Sequence, residues 1–449
     1  LNYWYQVLNY VRPFAIRRLQ FNNYNQHDMI QNYLRIGWRN LFRNSGYSLI
    51  NIGGLALGMA IAILIGLWVY DEFNFNQYHN RYKSIGKVTR QGTLNGETFT
   101  TSYLPYALSD ELKTAYAANF ENVVTAWPVG DHILSAGEKK VSLPGQFIEP
   151  AAPEMFSMEM LYGNYGALKE PGSILLSASA AKLFFGDKDP VNETMLIDNR
   201  MEVKVTGVYE DLPYNAHFHG VKFFAPWELF VSFNPWMTTQ GFTNNFLHIY
   251  VQIQPLTDFE TASRNIRNAI LDNVSHIKDY VAVNPRIFIH PMERWHLYGE
   301  WSNGVAGGRI QYVGLFAITG VLVLLLACIN FMNLSTARSE KRAKEVSIRK
   351  TIGSAKWQLI SQFFTESFLF VLISFCFSLF LVIGSMNGFN LLAGKQMVFP
   401  WGNPAFWIGS LVFISTTGLL AGSYPALYLS SFQPLRLLKG NRSMGRSSS

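Results

Sequence analysis

The chain has 449 residues, 49% of them hydrophobic and only 15% charged, with a formal net charge of +7; a soluble domain carries about 25% charged residues. The length implies more than one domain. The shortage of charge is concentrated in four runs, 46–70, 310–337, 367–394 and 396–435, that hold no Asp, Glu, Lys or Arg, which argues against a soluble protein and makes the basic excess a matter of membrane orientation, not of nucleic-acid binding.

Taken in order, residues 1–28 open on Leu1 and are dense in Asn, Tyr and Gln. They read as a leader or mis-assigned start ahead of Met29, or as a cytoplasmic extension. Residues 29–46 have the pattern of an amphipathic helix. Leu34, Trp38 and Leu41 share one face, and Arg35, Arg39 and Arg43 recur every four residues on another. Lying in the membrane interface suits such a helix; a basic flank that only sets orientation is the alternative. A span needs about 20 apolar residues, so four transmembrane helices are expected at 47–70, 311–335, 366–388 and 405–429. In the first, Gly54 and Gly58 have the small-xxx-small spacing that lets helices approach closely, and they are read as helix-packing residues.

Charge orients the spans. Residues 1–46 hold six Lys/Arg and one acid, 336–360 seven and two, and 430–449 four and none, whereas 71–309 hold nineteen against twenty-six. The positive-inside rule places the three basic segments in the cytoplasm and the acidic block outside. Both termini are then cytoplasmic, and residues 71–309 lie outside a bacterial inner membrane.

The outer block shows mixed patterning. Strands are expected at 84–90, 122–127, 202–209, 247–254 and 286–290, and helices at 104–117, 177–185 and 258–272, the last opened by a Thr257–Glu260 capping box. This predicts a large α+β extracytoplasmic domain, in one or two lobes, between helices 1 and 2 of a four-span α-helical membrane protein. Cys328 and Cys376 both fall inside predicted spans. The outer domain therefore has no disulfide and rests on its own core, which about 240 residues can supply.

Motifs for chemistry are missing. The nearest approach to a Walker A sequence, Gly86-Lys87, is followed by Val88 and has Arg81 where the first glycine belongs. His217-Phe-His219 reads as a turn after Pro213, and no third ligand for a metal is evident. No catalytic residue, metal or bound cofactor is assigned to this chain.

The loop at 337–354 is basic and patterned as a helix. Glu345 and Arg349 are an i,i+4 pair in the favourable order, and Ile348, Ile352, Ala355 and Leu359 form an apolar stripe. Gly353 suits a helix C′ position and Ser354 an N-cap. A short amphipathic helix near 339–352 is expected, then a second helix from 355 into the third span. The spacing leaves an interfacial anchor and a force-receiving coupler equally open.

The run Arg338-x-x-x-Arg342-x-Lys344-Glu345-Val346-x-Ile348-Arg349-Lys350-x-Ile352-Gly353-Ser354, followed by Gln362-Phe363-Phe364-x-Glu366, resembles the signature of FtsX-like, MacB-type ABC transporter permeases (type VII, mechanotransmission). Pro171–Pro190 and Val205–Pro213, with Asn215, His217 and Phe218, resemble the MacB-like periplasmic core domain. The style is that of permeases from Bacteroidota; many relatives have two four-span modules, and this chain reads either as a single-module permease or as the first half of a longer one. Ser347 and Asn192 stand where the family usually has Gly. The resemblance implies that 336–360 is a cytoplasmic coupling helix and turn. Arg342, Lys344, Glu345, Ile348, Arg349, Lys350 and Gly353 would engage a separate cytoplasmic ABC ATPase dimer that carries ATP and Mg2+. It further implies a dimer with a second permease module, identical or homologous. A periplasmic adaptor, outer-membrane factor or hydrolase is a further expected partner. The work would be export or extraction of a lipoprotein, peptide or drug-like cargo; the alternative is a signalling subunit that activates a periplasmic partner such as a cell-wall hydrolase.

Overall fold

The apolar runs become long helices. In a computed structural model, which describes residues 26–302, 304–351, 353 and 355–431, these are α1 (Gln26–Arg43), α2 (Ser45–Phe73), α3 (Arg309–Thr351), α4 (Lys356–Ala393) and α5 (Pro404–Ser431). Four stretches of them, Ser45–Phe73, Arg309–Ala337, Lys356–Ala393 and Pro404–Tyr428, are long and apolar enough to cross a membrane. The leader expected at 1–28 and the tail at 430–449 fall almost wholly outside the described residues. The chain divides into two units, Trp68–Phe316 and the remainder.

In the membrane unit, α1 turns into α2 at Asn44, where the Ser48 hydroxyl donates to the Leu41 carbonyl at 3.0 Å. Leu41 is buried with Leu55, Met59, Phe331, Phe370 and Phe375. Helices in lipid gain nothing from hydrophobic transfer towards one another, so close packing of small residues carries their association. Gly58 faces α3, where a Cβ at this position would stand 2.5 Å from the Cβ of Ala327. Gly54 lies one turn earlier, and a Cβ there would be 3.3 Å from the Asn330 amide nitrogen.

The second span and the loop after it differ from expectation. The short separate helix near 339–352 does not exist; α3 continues without interruption from Arg309 to Thr351. Between Val321 and Thr351 there is neither glycine nor proline, so nothing breaks the ladder of i→i−4 hydrogen bonds. The helix stops at Gly353, whose φ of +105° is open to glycine and strained for other residues. Ile352 and Ser354 lie outside the described residues. Ala355 is the N-cap of α4, and its N–H donates to the Gln358 side chain at 3.0 Å.

The large domain is built on one mixed sheet. Ten strands form its path: β1 (Ile85–Leu94), β2 (Phe120–Ala126), β3 (Gly130–Ala136), β4 (Lys139–Ile148), β5 (Ser173–Ser177), β6 (Thr194–Ile197), β7 (Met201–Tyr209), β8 (Phe223–Pro226), β9 (Asn245–Ile253) and β10 (Arg286–Pro291). They run in the order β8-β5-β7-β6-β3-β4-β2-β9-β1-β10, with three shorter strands at 97–101, 104–105 and 160–162 attached. Alternation along each strand sends side chains to opposite faces. Ile174, Leu176, Ile249 and Val251 enter one core, which is covered by helices Tyr106–Thr114, Ala178–Phe185, Trp227–Phe233 and Phe259–Ile266. Leu175 and Tyr250 enter the other with Met155, Phe156, Phe218, Met292 and Trp295. The helix expected at 258–272 is two short ones, and its N-cap is Asp258, one residue beyond Thr257. The Asp258 carboxylate accepts from the Thr261 N–H at 2.7 Å, and aspartate is the better cap.

Replacing Gly58 with Leu should overpack the α2–α3 contact at a cost of about 1–3 kcal/mol. Gly66→Ala, where a Cβ meets nothing within 4 Å, should be neutral or stabilising by up to about 1 kcal/mol. Thermal unfolding of the detergent-solubilised chain separates the two variants.

Candidate functional site

The residues expected to meet an ATPase lie at the end of α3. Arg342, Lys344, Glu345, Ile348, Arg349 and Lys350 all belong to this helix. Of these side chains only that of Ile348 is described, and it is exposed. Gly353 makes the turn, and Trp357, in the first turn of α4, is also exposed. Two apolar side chains thus flank a left-handed turn without cover among the described residues. Gly54 and Gly58 belong to the helix contact given above.

A second set of residues gathers where α2 ends and α3 begins, inside the large domain. Asp71 and Glu72 sit in the last turn of α2 and are buried, Glu72 to 1% exposure. A buried carboxylate is costly unless it is paired and hydrogen-bonded. His296 supplies the partner: its Nε2 donates to Glu72 at 2.6 Å, and its ring stacks on Phe75 with centroids 3.7 Å apart. Arg309, the first residue of α3, reaches the other Glu72 oxygen at 4.0 Å. The Tyr214 hydroxyl donates to Asp71; burial, then that hydrogen bond, push its ionisation well above the usual phenol range. Asn76, in the left-handed conformation, donates its N–H to the Asn215 carbonyl at 2.7 Å and its side chain to the Met292 carbonyl at 3.2 Å. The Ile310 N–H donates to Leu297, and Trp68 meets Phe316 edge-on at 5.1 Å.

This knot joins four stretches of chain: the exit of α2, the 213–215 turn, the 292–297 segment and the entry of α3. Displacing either helix end pulls on the same few side chains. The knot was not read from the sequence. The adjacent acids Asp71-Glu72 at the end of an apolar run were a signal, but their partner stands 224 residues away. Among the described residues no three His, Cys, Asp or Glu gather as a metal site.

Beside the knot, on the second face of the sheet, Lys87 of β1 pairs across the strands with Tyr250 and His290. Its ammonium lies 5.5 Å from the Tyr250 ring and 5.3 Å from that of Trp295, an arrangement that attracts a cation to the ring faces. Burial pushes it down to about 8. Three imidazoles share this cationic neighbourhood. Burial and then the Lys87 charge lower His248 to about 3. Burial, then Arg294 and Lys87, lower His290 to about 4. Burial and then Lys87 hold His217 well below the usual imidazole range. His217 packs on Trp295 at 4.8 Å, while His219 is exposed at the end of the same turn.

These depressed values set the sign of a pH effect. Unfolded, the imidazoles titrate near 6.5; folded, they resist protonation to well below it. The unfolded chain binds more protons in that interval, so stability is full above pH 6.5 and falls as pH drops towards 4. Lys87 acts with the same sign in a higher window, from 10.5 down to about 8. Amide exchange in β1, β9 and β10, corrected for intrinsic rates, should therefore be faster at pH 5 than at pH 7.5. His248→Phe should reduce the difference.

Two family descriptions match the chain. The MacB-like periplasmic core domain covers residues 48–269, and the FtsX-like permease C-terminal region covers 317–434. Relatives include the ABC transporter permease YknZ of Bacillus subtilis, 24% identical over 267 residues, which is 59% of this chain and 61% of YknZ. The macrolide export ATP-binding/permease protein MacB of Burkholderia cenocepacia is 24% identical over 261 residues, 57% of this chain and 34% of that protein. The chain thus spans less than two thirds of the length of either. A crystallised domain of a permease protein from Porphyromonas gingivalis matches with a TM-score of 0.39 and 19% identity, over 47% of this chain and 90% of that domain. The periplasmic region of MacB from Actinobacillus actinomycetemcomitans matches with a TM-score of 0.35 and 16% identity, over 47% and 92%. With four spans, a large domain inserted between the first two and two family matches that take in both, the chain belongs to the FtsX-like ABC transporter permeases that carry a MacB-like periplasmic core domain.

Proposed function

We propose that this chain is the membrane subunit of an ABC complex and turns ATP-driven motion on the cytoplasmic side into conformational work on the outer side. A separate ATPase dimer, holding ATP and Mg2+, docks on the 338–353 region of α3 through Arg342, Lys344, Glu345, Ile348, Arg349, Lys350 and the Gly353 turn. Two permease modules pair in the inner membrane, with both termini of each in the cytoplasm. When the ATPases close, α3 moves, and the knot of Glu72, His296, Asp71 and Tyr214 carries that movement into the periplasmic domain. The cargo, a lipoprotein, peptide or drug-like molecule, is handled there.

The observation that carries this reading is the unbroken course of α3. At 1.5 Å per residue, 43 residues make a rod of about 65 Å, about twice the 30 Å hydrocarbon core of a bilayer. An interfacial anchor does not need a helix continuous with a span. A lever does, because a hinge between span and docking end would absorb the displacement. Rigid-body shifts of packed helices are an established mode of switching.

The test combines two variants of the full chain in membranes with the ABC ATPase that co-purifies with it. Glu345→Lys with Arg349→Glu should weaken ATPase recruitment at least tenfold. Tyr214→Phe should leave recruitment unchanged and abolish the ATP-dependent change in amide exchange at 68–84 and 292–308. Wild-type recruitment by the charge-reversed variant sinks the docking assignment. A wild-type exchange response in Tyr214→Phe sinks the transmission role of the knot.

A further inference from the structure

A groove of about 550 Å³ runs along the junction of α1, α2 and α4. Trp38, Phe42 and Leu49 line one side, and Phe377, Phe380 and Leu381 the other. The polar side chains among its lining residues are Ser45 and Ser48, and the Ser48 hydroxyl is already bound to the Leu41 carbonyl. The walls therefore offer hydrocarbon contact and little that would recognise a polar molecule. Phe42 is 69% exposed and Phe380 74%, so both still present most of their surface to an occupant.

The rim adds a charge requirement. Arg35, Arg39 and Arg43 of α1 are exposed, and among the described residues none of the three forms an ion pair. At 100° per residue Arg39 stands about 100° around the helix from Trp38, so the arginine row borders the groove face. Successive arginines are about 6 Å apart along the axis, close enough for two to grip one phosphate. Guanidinium forks match phosphate oxygens in paired hydrogen bonds. No Asp or Glu occurs between Met29 and Tyr70, and the acid that packs on α1, Glu366, does so at Gly37, about 200° around the helix from Arg39.

We propose that this groove is a binding site for an anionic phospholipid, with one acyl chain along Trp38, Phe42, Phe377 and Phe380 and the phosphate held by Arg39 and Arg43. A second copy of the chain fits less well. The membrane unit holds four acids, Asp28, Glu340, Glu345 and Glu366, too few to face an arginine row on a partner. A lipid supplies the hydrocarbon and the negative charge together, in the order in which groove and rim present them.

Trp38 makes the site readable. The full chain is reconstituted in phosphatidylcholine bilayers containing increasing fractions of phosphatidylglycerol or phosphatidylcholine with brominated acyl chains. The Trp38 signal is the difference between wild type and Trp38→Phe. Brominated phosphatidylglycerol should quench it at a mole fraction at least fivefold lower than brominated phosphatidylcholine. Arg39→Gln with Arg43→Gln should remove that preference, at an unchanged melting temperature. Gly53→Phe should lower quenching by both lipids, because Gly53 lines the groove and a Cβ there meets nothing within 4 Å. Equal quenching by the two lipids in the wild type overturns the proposal, as does a preference that survives loss of both arginines. Efficient disulfide formation between copies of Phe380→Cys in a Cys376→Ser background, with Trp38 shielded from both brominated lipids, assigns the groove to a second copy and also overturns it.

Discussion

A carboxylate with 1% of its surface exposed, at the end of a membrane helix, governs the geometry of the junction around it. Glu72 cannot stay buried and charged without a partner. His296 at 2.6 Å is that partner, held in place by the Phe75 ring stacked on it. Magnitudes separate this contact from the surface ion pairs of the same domain. Arg264 and Glu260 are 60% and 84% exposed, and such a pair is worth about 0.3–0.5 kcal/mol. Removing one partner of a buried pair costs about 3–5 kcal/mol, because the other charge is left uncompensated. Well-packed apolar side chains can give equal stability in place of a buried pair. The value of Glu72 and His296 is therefore positional: they hold the exit of α2 and the approach to α3 in one arrangement.

The sheet makes that arrangement consequential. Its first face is closed by helices that belong to the domain alone. Its second face receives Tyr78 and Tyr82, which follow α2, and Met292 and Trp295, which precede α3. Both connections to the membrane helices therefore bear on one core and leave the other untouched. Lys87 lies at that second core, against Trp295, with neutral imidazoles around it. The acid sensitivity of the domain and the path by which its connectors are held thus share the same strands, β1, β9 and β10.

Much of this was legible in the sequence, and the failures have physical causes. The spans showed as uncharged runs because lipid imposes one requirement over about 20 residues. Strands such as 202–209 showed because their alternation is local. The N-cap at Asp258 was misplaced by one residue because Thr257 and Asp258 are both competent caps and only the tertiary turn chooses between them. The 339–352 segment was given its own helix because its composition changes abruptly at Arg338. Composition changes the surroundings of a helix, but only a backbone-breaking residue ends it, and the first after the span is Gly353. The knot escaped because Glu72 and His296 meet only once the whole domain has folded, and nothing local to either residue specifies the other.

The same reasoning explains why a stiff α3 and a close α2–α3 contact belong together. A lever transmits displacement only if it neither bends nor slides. Bending is opposed by the absence of glycine and proline after Gly320. Sliding is opposed at Gly58, where an added Cβ would stand 2.5 Å from that of Ala327. With no hydrophobic force between helices in lipid, surface complementarity of this kind is what remains to oppose it. A helix shifted by less than one turn would lose that fit without finding another, because the small residue must face the alanine. Packed interfaces of this sort have discrete arrangements and do not deform smoothly, so α2 and α3 are held in one register at Gly58 and Ala327. Those helices meet the large domain on the two sides of the Glu72–His296 pair, so the pair fixes the exit of α2 against the approach to α3.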